Sequence, residues 1–231
     1  MKKVMSIMVL SVFCLGLSLF AFASENASAK KEDKRIAVEL KAMKERKPQS
    51  KCPVMAGKVD EKNSVEYMGY LIKTCCPDCI AAVKKDPLGA IQKIRANGEE
   101  PALAANFKTQ TVCPLSGKPV NDEAYVIKNN VMVKFCCPDC KAKFVKDWDK
   151  SLAAMLKKGE APIILTMAQT ACPLSGEAIN KDSAVEYKGK KVYFCCDDCQ
   201  AKFNASPEKY LQAMADEGIV LESVKSVILT H

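Results

Sequence analysis

Twelve of the thirteen cysteines fall into three sets of four: Cys52, Cys75, Cys76 and Cys79; Cys113, Cys136, Cys137 and Cys140; Cys172, Cys195, Cys196 and Cys199. In every set the first cysteine stands 23 positions before a Cys-Cys-x-x-Cys cluster, and the sets start 61 and 59 residues apart. Thiolates gathered in this way are ligands for soft or borderline metal ions. Each first cysteine is followed by proline, at Pro53, Pro114 and Pro173, in a turn that leaves backbone N–H groups facing sulfur. The clusters open predicted helices, and a helix N-terminus lowers a thiol pKa. Neighbours such as Cys75 and Cys76 seldom bridge each other without strain, yet they present several sulfurs at one turn.

Two other readings stay open for the same residues. Twelve cysteines in an exported chain can form six disulfides and a scaffold without metal. Cys76-Pro77-Asp78-Cys79 and Cys137-Pro138-Asp139-Cys140 also have the form of a dithiol exchanger, although the βαβ context of a thioredoxin-like motif is missing. The only histidine is His231. Interior imidazole ligands and histidine-based catalytic sets are therefore excluded. No general base, nucleophile or phosphate loop is visible, and the chain reads as a non-enzyme.

The elements that hold the cysteines repeat in the same frame. Gly69, Asn130 and Gly189 stand seventeen residues after each first cysteine, between strand-like runs such as Ala184-Val185-Glu186-Tyr187 and Val192-Tyr193-Phe194. This predicts a β-hairpin whose second strand runs into the cysteine cluster. Beyond the cluster the period becomes helical: Val83, Ile91 and Ile94 in the first copy, Phe144, Leu152 and Met155 in the second, Phe203, Leu211 and Met214 in the third. Pro87 and Pro207 divide two of these helices, whereas the second copy has Trp148 there and reads as one continuous helix. Gly98, Gly159 and Gly218 close them. Tyr67, Tyr187, Phe144, Phe203 and Trp148 are expected in the core, and Lys141, Lys143 and Lys146 on a solvated face. The fold class is α+β, three small modules in tandem. Modules of about 60 residues seldom bury enough apolar surface to be stable alone, and small domains of this kind add disulfides or a structural metal.

These residues resemble the YHS/TRASH family of small metal-binding domains, whose mark is a cysteine followed at a distance by Cys-x-x-x-Cys. Here it reads Cys52…Cys75-x-x-x-Cys79, Cys113…Cys136-x-x-x-Cys140 and Cys172…Cys195-x-x-x-Cys199. The Cys-Pro-Leu-Ser-Gly openings and the run Glu186-Tyr187-Lys188-Gly189…Tyr193-Phe194-Cys195-Cys196…Phe203 resemble the YHS form. The resemblance covers about 52–101, 113–162 and 172–221. It implies a treble-clef-like finger and heavy-metal binding, trafficking, resistance or sensing, with no single metal or activity. A full treble-clef knuckle has a second cysteine three residues after the first, where this chain has Met55, Ser116 and Ser175. If all four cysteines of a set bind, the site is a closed structural zinc site; if three bind, it is open and suits Cu(I) or another soft ion. Met55 reads as an ordinary apolar turn residue, with a thioether ligand as the alternative, and the serines as turn hydrogen bonders.

Lys2 and Lys3, the apolar run Val4 to Phe20 and the small residues to Ala23 have the order of a signal peptide, with Cys14 inside it and an uncleaved membrane anchor as the alternative. The formal charge of +8 is uneven. Lys30 to Lys51 holds nine basic and four acidic residues, and Cys52 to the end 24 basic and 22 acidic. Ile36, Leu40 and Met43 give the basic stretch an amphipathic helical period ending before Pro48. The nearly neutral body gives no support for nucleic-acid binding. The expected division is a signal at 1–23, a basic helical leader at 24–51, and modules at 52–112, 113–171 and 172–231. The expected ligand is a zinc or copper ion, up to one per module, in a secreted or periplasmic protein. A metal-donating or metal-accepting protein is the expected partner, with membrane contact only if the signal is uncleaved.

Overall fold

The computed structural model describes residues 33–224, so the expected signal, the leader up to residue 32 and residues 225–231 lie outside the described residues. The chain divides into two compact units, Met1–Lys44 and Glu45–His231. A helix, α1, covers residues 33–45. Among the described residues no helix is long and apolar enough to cross a membrane.

The second unit repeats one motif three times. In the first copy β1 (Lys47–Pro48) precedes the hairpin β2 (Asp60–Tyr67) and β3 (Tyr70–Thr74), helices α2 (Pro77–Lys85) and α3 (Pro87–Ala96), and short strands β4 (Glu99–Glu100) and β5 (Ala102–Leu103). The second follows with β6 (Lys108–Thr109), β7 (Asn121–Lys128), β8 (Val131–Phe135), α4 (Pro138–Lys146), α5 (Trp148–Lys157), β9 (Glu160–Ala161) and β10 (Ile163–Ile164). The third has β11 (Asn180–Tyr187), β12 (Lys190–Phe194), α6 (Asp197–Ala205), α7 (Pro207–Asp216) and β13 (Glu222–Ser223). Each hairpin is antiparallel and gains a third strand from the chain after the helices, in the orders β2-β3-β5, β7-β8-β10 and β11-β12-β13. β1 pairs with β4, and β6 with β9, in parallel. Lys47 and Pro48, inside the stretch read as leader, are thus tied to the end of the first copy.

Local chemistry explains the hairpins. Both central turn residues have positive φ: Met68 and Gly69, Asn129 and Asn130, Lys188 and Gly189. That is the turn whose twist matches a two-residue hairpin, and glycine and asparagine adopt it most readily. Each first strand carries a register shift near its start. There Asp60, Asn121 and Asn180 accept from the N–H two residues on, each at 3.0 Å, and turn the chain locally.

The second copy departs from the expected continuous helix. Asp147 leaves helical geometry at φ −124°, ψ 52° and separates α4 from α5. The break lets Trp148, Leu152 and Met155 join Phe144 in the core. Phe144 packs edge-on against both Phe135 and Trp148, with ring centroids 5.3 Å apart in each pair. Burial of these side chains outweighs the local preference for an unbroken helix.

One apolar core spans the first two copies and a second occupies the third. Phe194 packs on Phe203 in the third as Phe135 does on Phe144 in the second. The first has Thr74 and Val83 instead, and the Thr74 hydroxyl is satisfied by Asn63 and Cys76 carbonyls. Tyr67 and Tyr187 pack at the edges of the cores, and Lys141, Lys143 and Lys146 are exposed. The copies also bond to one another. Arg95 is buried, pairs with Glu100 and reaches the Ile164 carbonyl at 2.6 Å. The Asn130 N–H donates to Ala215 O at 2.8 Å, and Lys190 pairs with Asp86 at 2.7 Å.

Candidate metal centres

Each first cysteine sits on a tight loop. The Cys52 N–H donates to Gly57 O at 2.8 Å and its carbonyl accepts from Ala56 N–H at 2.9 Å. Cys113 repeats this with Lys118 and Gly117, and Cys172 with Glu177 and Gly176. The residue that closes the loop is left-handed: Ala56 at φ 57°, Gly117 at 71° and Gly176 at 73°. Glycine adopts this freely, whereas alanine pays roughly 1–2 kcal/mol for it.

A glutamine three residues before each of these cysteines ties the loop to the hairpin, a role that sequence reasoning had not assigned. Gln49 accepts from the Lys73 N–H at 2.9 Å and donates to Lys73 O at 2.8 Å and Lys51 O at 3.0 Å. Gln110 makes the same bonds to Lys134 and Val112, and Gln169 to Tyr193 and Ala171. Its amide pairs with the strand edge as a neighbouring strand would. The residue it holds is always two before the Cys-Cys pair, so the loop cysteine is set against the cluster. The signal was present as Gln-x-x-Cys-Pro in all three copies.

The structure gathers nine of the twelve expected ligands into three triads: Cys52, Cys75 and Cys79; Cys113, Cys136 and Cys140; Cys172, Cys195 and Cys199. Within each triad all sulfurs lie within 4.8 Å of one another. The first member comes from the loop, the second from the end of the hairpin and the third from the first helical turn. Cys75–Cys79 and Cys136–Cys140 are 3.8 Å apart, and Cys195–Cys199 3.7 Å. A tetrahedral ion with Zn–S bonds of about 2.3 Å sets its sulfurs about 3.8 Å apart, against about 2.05 Å in a disulfide. All twelve cysteines are free thiols. The donor set therefore fits a thiophilic ion.

Cys76, Cys137 and Cys196 stand outside these sets. Each is the residue before its helix, in extended conformation. Cys76 lies 3.4 Å from Cys79 and 3.9 Å from Cys75, and Cys196 lies 3.6 Å from Cys199. Cys137 likewise lies 3.7 Å from Cys136, and Cys196 3.7 Å from Cys195.

The electrostatics follow this layout. Burial pushes the Cys113 thiol up, but the Ser116 hydroxyl and the N–H groups of Cys136, Ser116 and Leu115 outweigh it and bring it down to about 6. Cys172 is brought down to about 6 against the same burial, by N–H groups of Cys195, Leu174 and Ser175 and the Ser175 hydroxyl. Cys52 comes down only to about 7, with the N–H groups of Met55, Val54 and Cys75 opposing burial. N–H groups of Cys79, Cys140 and Cys199 lower Cys76, Cys137 and Cys196 respectively. Burial holds the Cys79 thiol far above its ordinary value, while Cys137 and burial push Cys140 up to about 12. Cys196 and burial raise Cys199 likewise. Three thiolates this close repel one another, and a cation among them removes the repulsion.

A family model described as the YHS domain matches residues 173–214, which run from the third loop through the third hairpin and α6 into the last turn of α7. No curated protein and no solved structure matches the chain. The matched segment contains Cys195, Cys196 and Cys199 and begins directly after Cys172.

Proposed function

We propose that the chain is an exported metal-binding protein of three tandem YHS/TRASH-type modules, each holding one soft or borderline transition metal ion. The observation that carries the reading is the triad of sulfurs, built three times from the same loop, hairpin end and helix start. The match at 173–214 supports a metal-associated domain in the third copy, and the shared frame extends it to the other two. Zinc or copper suits such a donor set. Sequestration or delivery of the ion, not catalysis, is the role that this donor set supports, with a metal-donating or metal-accepting protein as partner. Secretion or periplasmic residence is inferred from the order of charged, apolar and small residues at 1–23.

The test is titration of the chain, reduced and kept from oxygen, with Zn(II) in competition with a coloured chelator. Cys79→Ser, Cys140→Ser and Cys199→Ser should each lower the stoichiometry by one ion and leave the other two centres unchanged. Unchanged stoichiometry in all three variants would overturn the reading, as would sulfurs recovered as disulfides under mild extraction.

A further inference from the structure

The three centres share a backbone but differ at one corner. In the second, Ser116 Oγ lies 3.2 Å from Cys136 Sγ and hydrogen-bonds Cys113 as well, so one hydroxyl spans two of the three sulfurs. Ser175 does the same in the third, 3.2 Å from Cys195 Sγ and bonded to Cys172. The residue in that place in the first is Met55, whose backbone N–H still donates to Cys52 sulfur. Its loop position is thus retained while the hydroxyl is gone. At 69 % exposed, Met55 is the most exposed large hydrophobic residue among those described, and neighbouring Val54 is 41 % exposed. The same loop position is exposed in the other two centres, at Ser116 and Ser175, so the corner is open to an incoming ion in all three.

We propose that Met55 is a thioether ligand of the first centre, which makes that centre the one for a soft monovalent cation of the Cu(I) class. Ser116 and Ser175 keep the other two centres as thiolate sites for zinc-like ions. The inference rests on the metal-binding reading above and deepens it. A methionine carries its sulfur one bond beyond the position of a serine Oγ, and Met55 holds the loop position from which Ser116 and Ser175 reach the sulfurs of the other two centres. Thioether sulfur discriminates strongly for soft ions and hardly binds Zn(II). A hydroxyl in the same corner donates to thiolates and withdraws electron density from them. Met55 is largely open to solvent, so an incoming ion can meet the thioether first.

The experiment uses the chain labelled with 13C at the methionine methyl groups, titrated separately with Ag(I), a soft closed-shell probe, and Zn(II). The Met55 signal is assigned by its absence from Met55→Ser. The expected result is that the first equivalent of Ag(I) shifts the Met55 methyl while Zn(II) leaves it in place. Met55→Ser should weaken Ag(I) at that centre by at least about tenfold, the loss seen even for partners outside the ligand set, with Zn(II) binding unchanged. Ser116→Met should create a second shifted methyl. A Met55 methyl that stays put while three Ag(I) ions bind would overturn this inference and leave the metal-binding reading intact. Binding of neither probe would overturn both.

Discussion

Replacing Gln110 by alanine removes three hydrogen bonds of 3.1, 2.7 and 2.9 Å and leaves the Lys134 N–H and C=O without their side-chain partner. Gln110 is 5 % exposed, so water does not readily replace it. At about 1 kcal/mol net for each bond, the loss is about 3 kcal/mol. Because these bonds hold the Cys113 loop against the strand leading to Cys136, part of the loss falls on the assembled triad. If all of it did, affinity at the second centre would fall about 100-fold, since about 1.4 kcal/mol is a factor of ten. Two assays separate the shares: Zn(II) competition for affinity, and thermal unfolding of the metal-free chain for stability. The first and third centres, held by Gln49 and Gln169, should keep their affinity. Stability and second-centre affinity both unchanged to within about 0.5 kcal/mol would refute the assignment of this glutamine as the tie between loop and cluster.

Glu99 gives a pH prediction. Burial raises its carboxyl pKa, but the Ser50 hydroxyl and the Ser50 and Lys51 N–H groups, the last two at 2.9 and 3.2 Å, bring it below the ordinary value. A folded-state pKa below the unfolded one stabilises the protein above the unfolded value, and the contribution disappears as pH falls through the folded value. Glu99→Gln should cost about 2 kcal/mol at neutral pH and flatten the fall in stability on acidification; an unaltered profile would contradict this. Gly159 and Gly98 form a matched pair, both left-handed at φ 72° and 73°. A Cβ at Gly159 would lie 2.3 Å from Asn106 O, while at Gly98 it meets nothing within 4 Å. Gly98→Ala should cost about 1 kcal/mol and Gly159→Ala clearly more, which unfolding curves will show; equal losses would contradict the contact.

Much of the motif was legible because residue types with special backbone preferences recur in one frame. Gly69, Asn130 and Gly189 marked hairpin turns, and Gly98, Gly159 and Gly218 marked helix ends, since left-handed geometry restricts the choice of residue. The cysteines marked the centres for the same reason: few other side chains supply sulfur. Gln49, Gln110 and Gln169 escaped notice because glutamine has no comparable backbone signature and acts here through contacts 24 residues away. Which three of each four-cysteine set gather most closely was also hidden, because spacing alone does not say how far Cys76, Cys137 and Cys196 end from the loop cysteine. The break at Asp147 and the bonds between copies, such as Arg95 to Ile164, arise from packing that no local pattern encodes.

The most direct test is elemental analysis of the full chain purified without oxygen, combined with thiol counting before and after a chelator is added. The account predicts about three ions per chain, one for each sulfur triad, with the nine triad thiols reacting only once the metal is withdrawn. Metal-free protein with all of its described cysteines in disulfides would contradict it.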